Sequence, residues 1–166
     1  MLDGDDNVLP KLSVTLRPVT ADDALFLLTV YEAGREMEMS MVPWDSVQKH
    51  AFLKHQFEAQ SRYYADKFPA ATHDVILLDN VQVGRLYLDR SQDHISILDI
   101  TVLRQFREQG VGSLIIKKLQ KEAAEAGKSL GIYVETFNPS QKLFKALGFS
   151  VVSDDGVNLR MEWSTS

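Results

Sequence analysis

Between Ser13 and Trp163 the spacing of apolar residues switches repeatedly between a period of two and a period near 3.6, which marks strands and helices in turn. "SVTLRPVT" reads as a first strand, and "TADDALFLLTVYEAG" as a helix capped by Thr20, with Asp22 and Asp23 in its first turn and Gly34 at its close. "REMEMSMVP" breaks the pattern. "WDSVQKHAFLKHQFEAQSRYYADKF" then resumes helical character, with Asp45 or Ser46 as cap and Pro69 beyond its end. "DVILLDNVQVGRLYLDR" holds two β-rich runs joined at Asp79 and Asn80, a pair that tolerates positive φ, and so predicts a hairpin. "HISILDITVL" is a further strand. After it a helix carries Val111, Leu114, Ile115, Leu119 and Ala123 at spacings of three and four and stops at Gly127. "SLGIYVETF" is strand-like, and "NPSQKLFKALG" predicts a short helix with Asn138 as cap and Pro139 in first position. "FSVVSDDGVNLRMEW" predicts a closing hairpin that turns at Asp154 to Gly156.

The predicted order is β α α β β β α β α β β, without repeats, linkers or low-complexity tracts. A strand, helix and strand between Ile95 and Glu135 imply a right-handed crossover between parallel strands, whereas the hairpins imply antiparallel neighbours. The expected class is therefore α/β (α+β), with a mixed central sheet flanked by helices. At 166 residues the chain fits one domain, 1–166, with 1–11 as a loose acidic leader.

Composition narrows the function more than the fold. A net charge of -5 lacks the broad basic face that nucleic-acid binding needs, so no nucleic-acid partner is expected. No run approaches the roughly 18 apolar residues of a membrane span, and the acidic amino terminus is unlike a signal peptide. With zero cysteines, which fit a reducing compartment and exclude a thiolate nucleophile, a cytoplasmic location is expected. His50 and His55 are five apart, His73 and His94 lack ligand neighbours, and no metal is implied.

The chemical signal is "FREQGVGSLIIKKL". Gly110 and Gly112 stand where a helix begins, although each glycine inside a helix costs roughly 1 kcal/mol relative to alanine. A helix start offers about four unpaired N–H groups and a partial positive charge, and glycine removes the Cβ that would hold a phosphate away. The alternative is a tight strand-to-helix turn. Neither the P-loop spacing nor the three-glycine dinucleotide motif fits, because Ile115 stands where the latter needs its third glycine. What fits is Arg107-x-x-Gly110-x-Gly112 directly after a strand.

Here the sequence resembles the GNAT superfamily of acetyl-coenzyme A-dependent N-acetyltransferases. "ILDITVLRQFREQGVGSLIIKKL" is similar to that family's strand, loop and helix for the cofactor, and "NPSQKLFKALGF" to its second signature, an Asn-initiated helix ending in Leu-Gly-Phe. The resemblance implies a mostly antiparallel sheet with one splayed parallel pair. It implies acetyl-CoA as acyl donor, gripped at its pyrophosphate by the loop Arg107, Glu108, Gln109, Gly110, Val111, Gly112 and Ser113. It further implies that backbone groups of Ile100, Thr101 and Val102 pair with the pantetheine arm, with Asn138 and Phe144 across the gap. Asn138 serves equally well as a plain helix cap. The chain departs from the family at Arg104, where proline is common, at Glu108, where glycine or a basic residue is common, and at Phe144, where a tyrosine often protonates the leaving thiolate.

The implied reaction is attack of an amine, from a small molecule or a protein, on the thioester. A lysine-like amine with pKa about 10.4 must first lose a proton, and Asp99 and Glu135, on the strands framing the gap, are the expected bases, with Tyr133 as a further acid. Asp99 could instead be satisfied by an arginine such as Arg85, and Glu135 could face solvent. Met37, Met39, Met41 and Trp44 are expected to line the acceptor pocket, with Glu36, Glu38, Asp154 and Asp155 favouring a cationic amine. Phe52, Phe57, Tyr63 and Tyr64 fit core packing or the face of a homodimer. The absent family tyrosine leaves a second reading, an acyl-CoA-binding sensor or interaction module without transfer activity.

Overall fold

A computed structural model describes residues 13–165; the predicted leader lies outside them. The chain forms strands β1 (Val14–Pro18), β2 (Thr72–Leu78), β3 (Val81–Arg90), β4 (His94–Val102), β5 (Ser129–Glu135), β6 (Ser150–Asp154) and β7 (Asn158–Trp163). Its helices are α1 (Ala24–Gly34), α2 (Glu36–Ser40), α3 (Ser46–Lys67), α4 (Val111–Ala126) and α5 (Gln141–Ala146). The strands make one sheet in the order β1-β2-β3-β4-β5-β7-β6, in which β4 and β5 are parallel and every other neighbouring pair is antiparallel. This is the mixed sheet expected from the order of elements.

Local signals act where the pattern placed them. Asp79 and Asn80 take φ of 49° and 68° in the β2–β3 turn, and Gly127 ends α4 at φ 68°. Asp45 caps α3 by accepting from Gln48 N at 2.8 Å, while the Gln48 side chain accepts from Asp45 N at 3.1 Å. Two expectations are corrected. "REMEMSMVP" is not irregular throughout, because Glu36–Ser40 form a helix of a single turn whose Met39 drops into a small core with Tyr31 and Leu53. The helix expected to begin at Asn138 begins at Gln141, capped at Ser140, because the Asn138 side chain bends back to accept from Ser140 N at 2.9 Å.

Helices α4 and α5 cover one face of the sheet. There Ile115, Ile116, Leu119 and Phe144 meet Ile95, Leu130 and Met161 in the main core. The opposite face, over β3 and β4, is taken by α1 and α3. No described helix is long and apolar enough to cross a membrane.

Candidate active site

The site begins with one extra residue in β4. Tyr87 of β3 pairs with Asp99 while its neighbour Leu88 pairs with Ile97, so Leu98 is bulged out of register. A bulge bends its strand and raises the local twist. Pairing between β4 and β5 runs from His94↔Ser129 to Ile97↔Ile132 and ends there, although both strands continue. The diverging ends enclose a cleft of about 1040 Å³. Along it, the β5-facing backbone from Asp99 to Val102 has no strand partner, and Ile100, Thr101 and Val102 line the wall.

Helix α4 opens into this cleft. Its first backbone bond runs from Leu114 N to Gly110 O at 3.0 Å, and the N–H groups of Glu108 through Ser113 find no acceptor among the described residues. Gly110 has φ 82°, a conformation that suits glycine. Gly112 has no such need: a Cβ there would meet only Leu143 Cδ2, at 3.7 Å. Neither strain nor packing by the protein calls for that glycine, and the space its absent Cβ leaves lies in the cleft. Glu108 adopts φ 70° without being glycine, which gives a physical reason for a glycine preference at its position. Arg107 braces the loop by donating from Nε to Val102 O at 2.8 Å and from Nη2 to Ala33 O at 3.4 Å. Gln109 alone of the loop residues points away from the cleft lining, and its amide donates to Gln105 O.

Across the cleft lies Asn138, whose Nδ2 is 3.5 Å from Glu135 Oε2 while its Oδ1 caps the turn before α5. Phe144 reaches the cleft floor from the core, edge-on to Phe149 with ring centroids 5.2 Å apart, and offers no proton. Asp99 is engaged at both oxygens, by Arg85 Nε at 2.5 Å and by the Thr101 hydroxyl at 2.9 Å. Arg85 is 1% exposed and donates a second bond to Gln60 Oε1 at 2.7 Å. Asp99 thus sits in the cleft as the counter-ion of a buried arginine, the alternative already open from the sequence.

Glu135 is set differently. Arg35 Nη1 donates to Glu135 Oε1 at 3.2 Å and to Glu38 Oε1 at 2.9 Å, so one guanidinium serves two carboxylates and the group keeps a net negative charge. Burial disfavours the Arg35 charge, but Tyr31, Glu38 and Glu135 outweigh that penalty and hold the side chain protonated beyond an ordinary arginine. Its guanidinium also lies 5.0 Å from the centre of the Tyr31 ring. Tyr133, 67% exposed, projects from β5 into the cleft mouth with Arg160 over its ring at 4.8 Å.

The residues expected in the acceptor wall lie apart from one another in the structure. Met37 lines the cleft, but Met39 is buried beneath α1 and α3, and Met41 and Trp44 lie outside the lining, Trp44 edge-on to Phe52. The single-turn helix rotates alternate methionines in opposite directions. Asp154 and Asp155 are spent on the closing turn, where they accept from Gly156 N, Val157 N and Asn158 N. In their place the cleft gains Phe137, Tyr31 and Arg35. Only the i, i+3 pair of Arg35 and Glu38 hinted at these in the sequence.

Residues 37–149 match the Acetyltransferase (GNAT) family. The chain belongs to the GNAT acetyltransferase family. It is accordingly an acyltransferase of the N-acetyltransferase type, and the silent binding module is not favoured. No curated protein matches its sequence. Among solved structures it is similar to the PaiA N-acetyltransferase from Thermoplasma acidophilum in complex with coenzyme A, at 14% identity and TM-score 0.71, over 92% of this chain and 99% of that one. An acetyltransferase from Thermus thermophilus is 18% identical with TM-score 0.65, over 92% and 97% of the two chains. The ribosomal-protein-S18-alanine N-acetyltransferase from Escherichia coli is 14% identical with TM-score 0.63, over 93% and 96%. Likeness at these identities is a likeness of fold.

Proposed function

We propose that this GNAT enzyme transfers the acetyl group of acetyl-CoA to a cationic amine of a small molecule or protein, in the cytoplasm. The observation that carries the donor is the run of N–H groups from Glu108 to Ser113, beside the unfilled space at Gly112. A diphosphate fits that donor set, since it supplies several acceptors and negative charge where the helix dipole is positive. The complex of the similar PaiA enzyme with coenzyme A supports the same ligand. Bound there, the donor supplies an electrophilic carbonyl and a thiolate leaving group.

This chain's residues then have separable tasks. The edge of β4 along Ile100, Thr101 and Val102, unpaired by β5 and occupied only at Val102 O by Arg107, holds the donor's arm as a substitute strand, with Asn138 facing it. Glu135 attracts the ammonium of the acceptor and takes its proton, because the cluster of Arg35, Glu38 and Glu135 has one negative charge to spare. Asp99, balanced by Arg85, orients the amine through its fixed carboxylate. Tyr133, whose ring lies under Arg160, returns a proton to the departing thiolate in the absence of a hydroxyl at Phe144. Met37 and Phe137 shield the reacting atoms from water. The absence of cysteine supports the reducing compartment.

Calorimetry with coenzyme A and a thiol-release assay over a set of mono- and polyvalent amines test this directly. Amine-dependent thiol release is expected. Coenzyme A that fails to bind, or a thioester consumed no faster with any amine, would overturn it.

A further inference from the structure

Helix α3 runs for 22 residues, yet Leu53 is its one buried apolar side chain. A polar stripe faces the body of the protein instead. Gln56, Gln60 and Tyr64, four apart and therefore on one face, each make a hydrogen bond away from the helix. The Tyr31 hydroxyl donates to Gln56 Oε1 at 3.0 Å, Arg85 Nη2 donates to Gln60 Oε1 at 2.7 Å, and the Tyr64 hydroxyl donates to Leu98 O at 3.2 Å.

The last two bonds end on the parts of the sheet that make the cleft. Leu98 is the bulged residue at which β4 leaves β5, and Arg85 holds Asp99 with its Nε. Arg85 is buried against the rings of Tyr31 and Phe57, 6.0 Å and 5.5 Å from their centres. A buried guanidinium carries a desolvation penalty that an apolar side chain of similar volume would avoid, so stability alone does not call for this arrangement.

We propose that Gln60 and Tyr64 are positioning residues for acyl transfer: Tyr64 fixes the bulge that opens the donor's gap, and Gln60, through Arg85, fixes the carboxylate of Asp99. The inference rests on the acyl-transfer reading above. Helix α3 would then be gripped onto the reacting strand by hydrogen bonds beside its small core of Leu53, Tyr31 and Met39.

Three variants test it. Gln60→Leu removes the acceptor for Arg85, Gln60→Glu restores one, and Tyr64→Phe deletes a single hydroxyl while its ring keeps its place on Tyr87, 5.0 Å away. Expected are a fall of about tenfold in kcat for Gln60→Leu with KM for acetyl-CoA within about twofold, recovery in Gln60→Glu, and a rise of about fivefold in the coenzyme A dissociation constant for Tyr64→Phe. Lower melting temperatures with wild-type kcat, KM and coenzyme A affinity would make the stripe purely structural and overturn the proposal. Should Gln60→Leu fail to fold, Tyr64→Phe decides. A wild-type protein that binds coenzyme A but acetylates no amine would defeat the transferase reading separately, and the calorimetry of Tyr64→Phe would still judge the bulge.

Discussion

Arg35 and Glu135 lie 100 residues apart in the chain and meet at 3.2 Å across the open end of the cleft. The contact joins the α1–α2 junction to the last residue of β5, so the two sides of the cleft's open end are linked by one guanidinium that Glu38 also shares. Its consequence is electrostatic. With two carboxylates on one cation, this end of the cleft keeps a net negative charge, the feature on which the proposal of a cationic acceptor rests.

Glu135→Gln keeps the shape and removes that charge. Turnover is expected to fall roughly a hundredfold, the scale of a lost proton acceptor, with coenzyme A affinity unchanged by calorimetry. Equal turnover would remove Glu135 from the chemistry.

Gly112→Ala separates folding from binding. The added methyl meets nothing closer than Leu143 Cδ2 at 3.7 Å, and the helix gains up to about 1 kcal/mol in propensity, so the variant should melt higher. The same methyl intrudes where the diphosphate approaches, and coenzyme A should bind about tenfold more weakly, or about 1.4 kcal/mol. A variant both less stable and equally good at binding would contradict the assignment of this space.

Glu108→Gly relieves a side chain held at φ 70° and should stabilise the fold by roughly 1 kcal/mol. It also removes a negative charge beside a polyanion, so coenzyme A binding should tighten most at low salt and less as salt screens the loop. Titrations at two ionic strengths check both.

His73 should shape acid stability. Burial first, and the nearby Arg85 second, bring its pKa from 6.5 down to about 4, and its Nε2 has no hydrogen-bond partner among the described residues. The folded state therefore keeps the ring neutral while the unfolded chain protonates it. This contribution to stability is complete above about pH 6.5 and is lost as pH falls toward 4. His73→Phe, which can keep the stack on Tyr87, should flatten that part of the pH profile in urea melts; an unchanged slope between pH 6.5 and 4 would show that His73 is not its source.

Much of this protein is local and was therefore legible without coordinates. Period-two runs, the Asp79–Asn80 turn, the Asp45 cap and the glycine stop at Gly127 each draw on neighbours within a few residues, so the element order, the parallel crossover and the loop from Arg107 to Ser113 could be read from sequence alone. The methionines of "REMEMSMVP" resisted such reading, because a single helical turn has too few residues to show a period, and that turn buries Met39 while Met37 faces the cleft.

Tertiary structure decided the charges. Whether Asp99 would meet Arg85, whether Glu135 would meet Arg35, and that Gln60 and Tyr64 would close on β4 depend on which strands become neighbours and where one of them bulges. An ion pair leaves no periodic mark in a sequence, since its energy comes from proximity in space and from burial, and both are fixed only after the sheet is assembled.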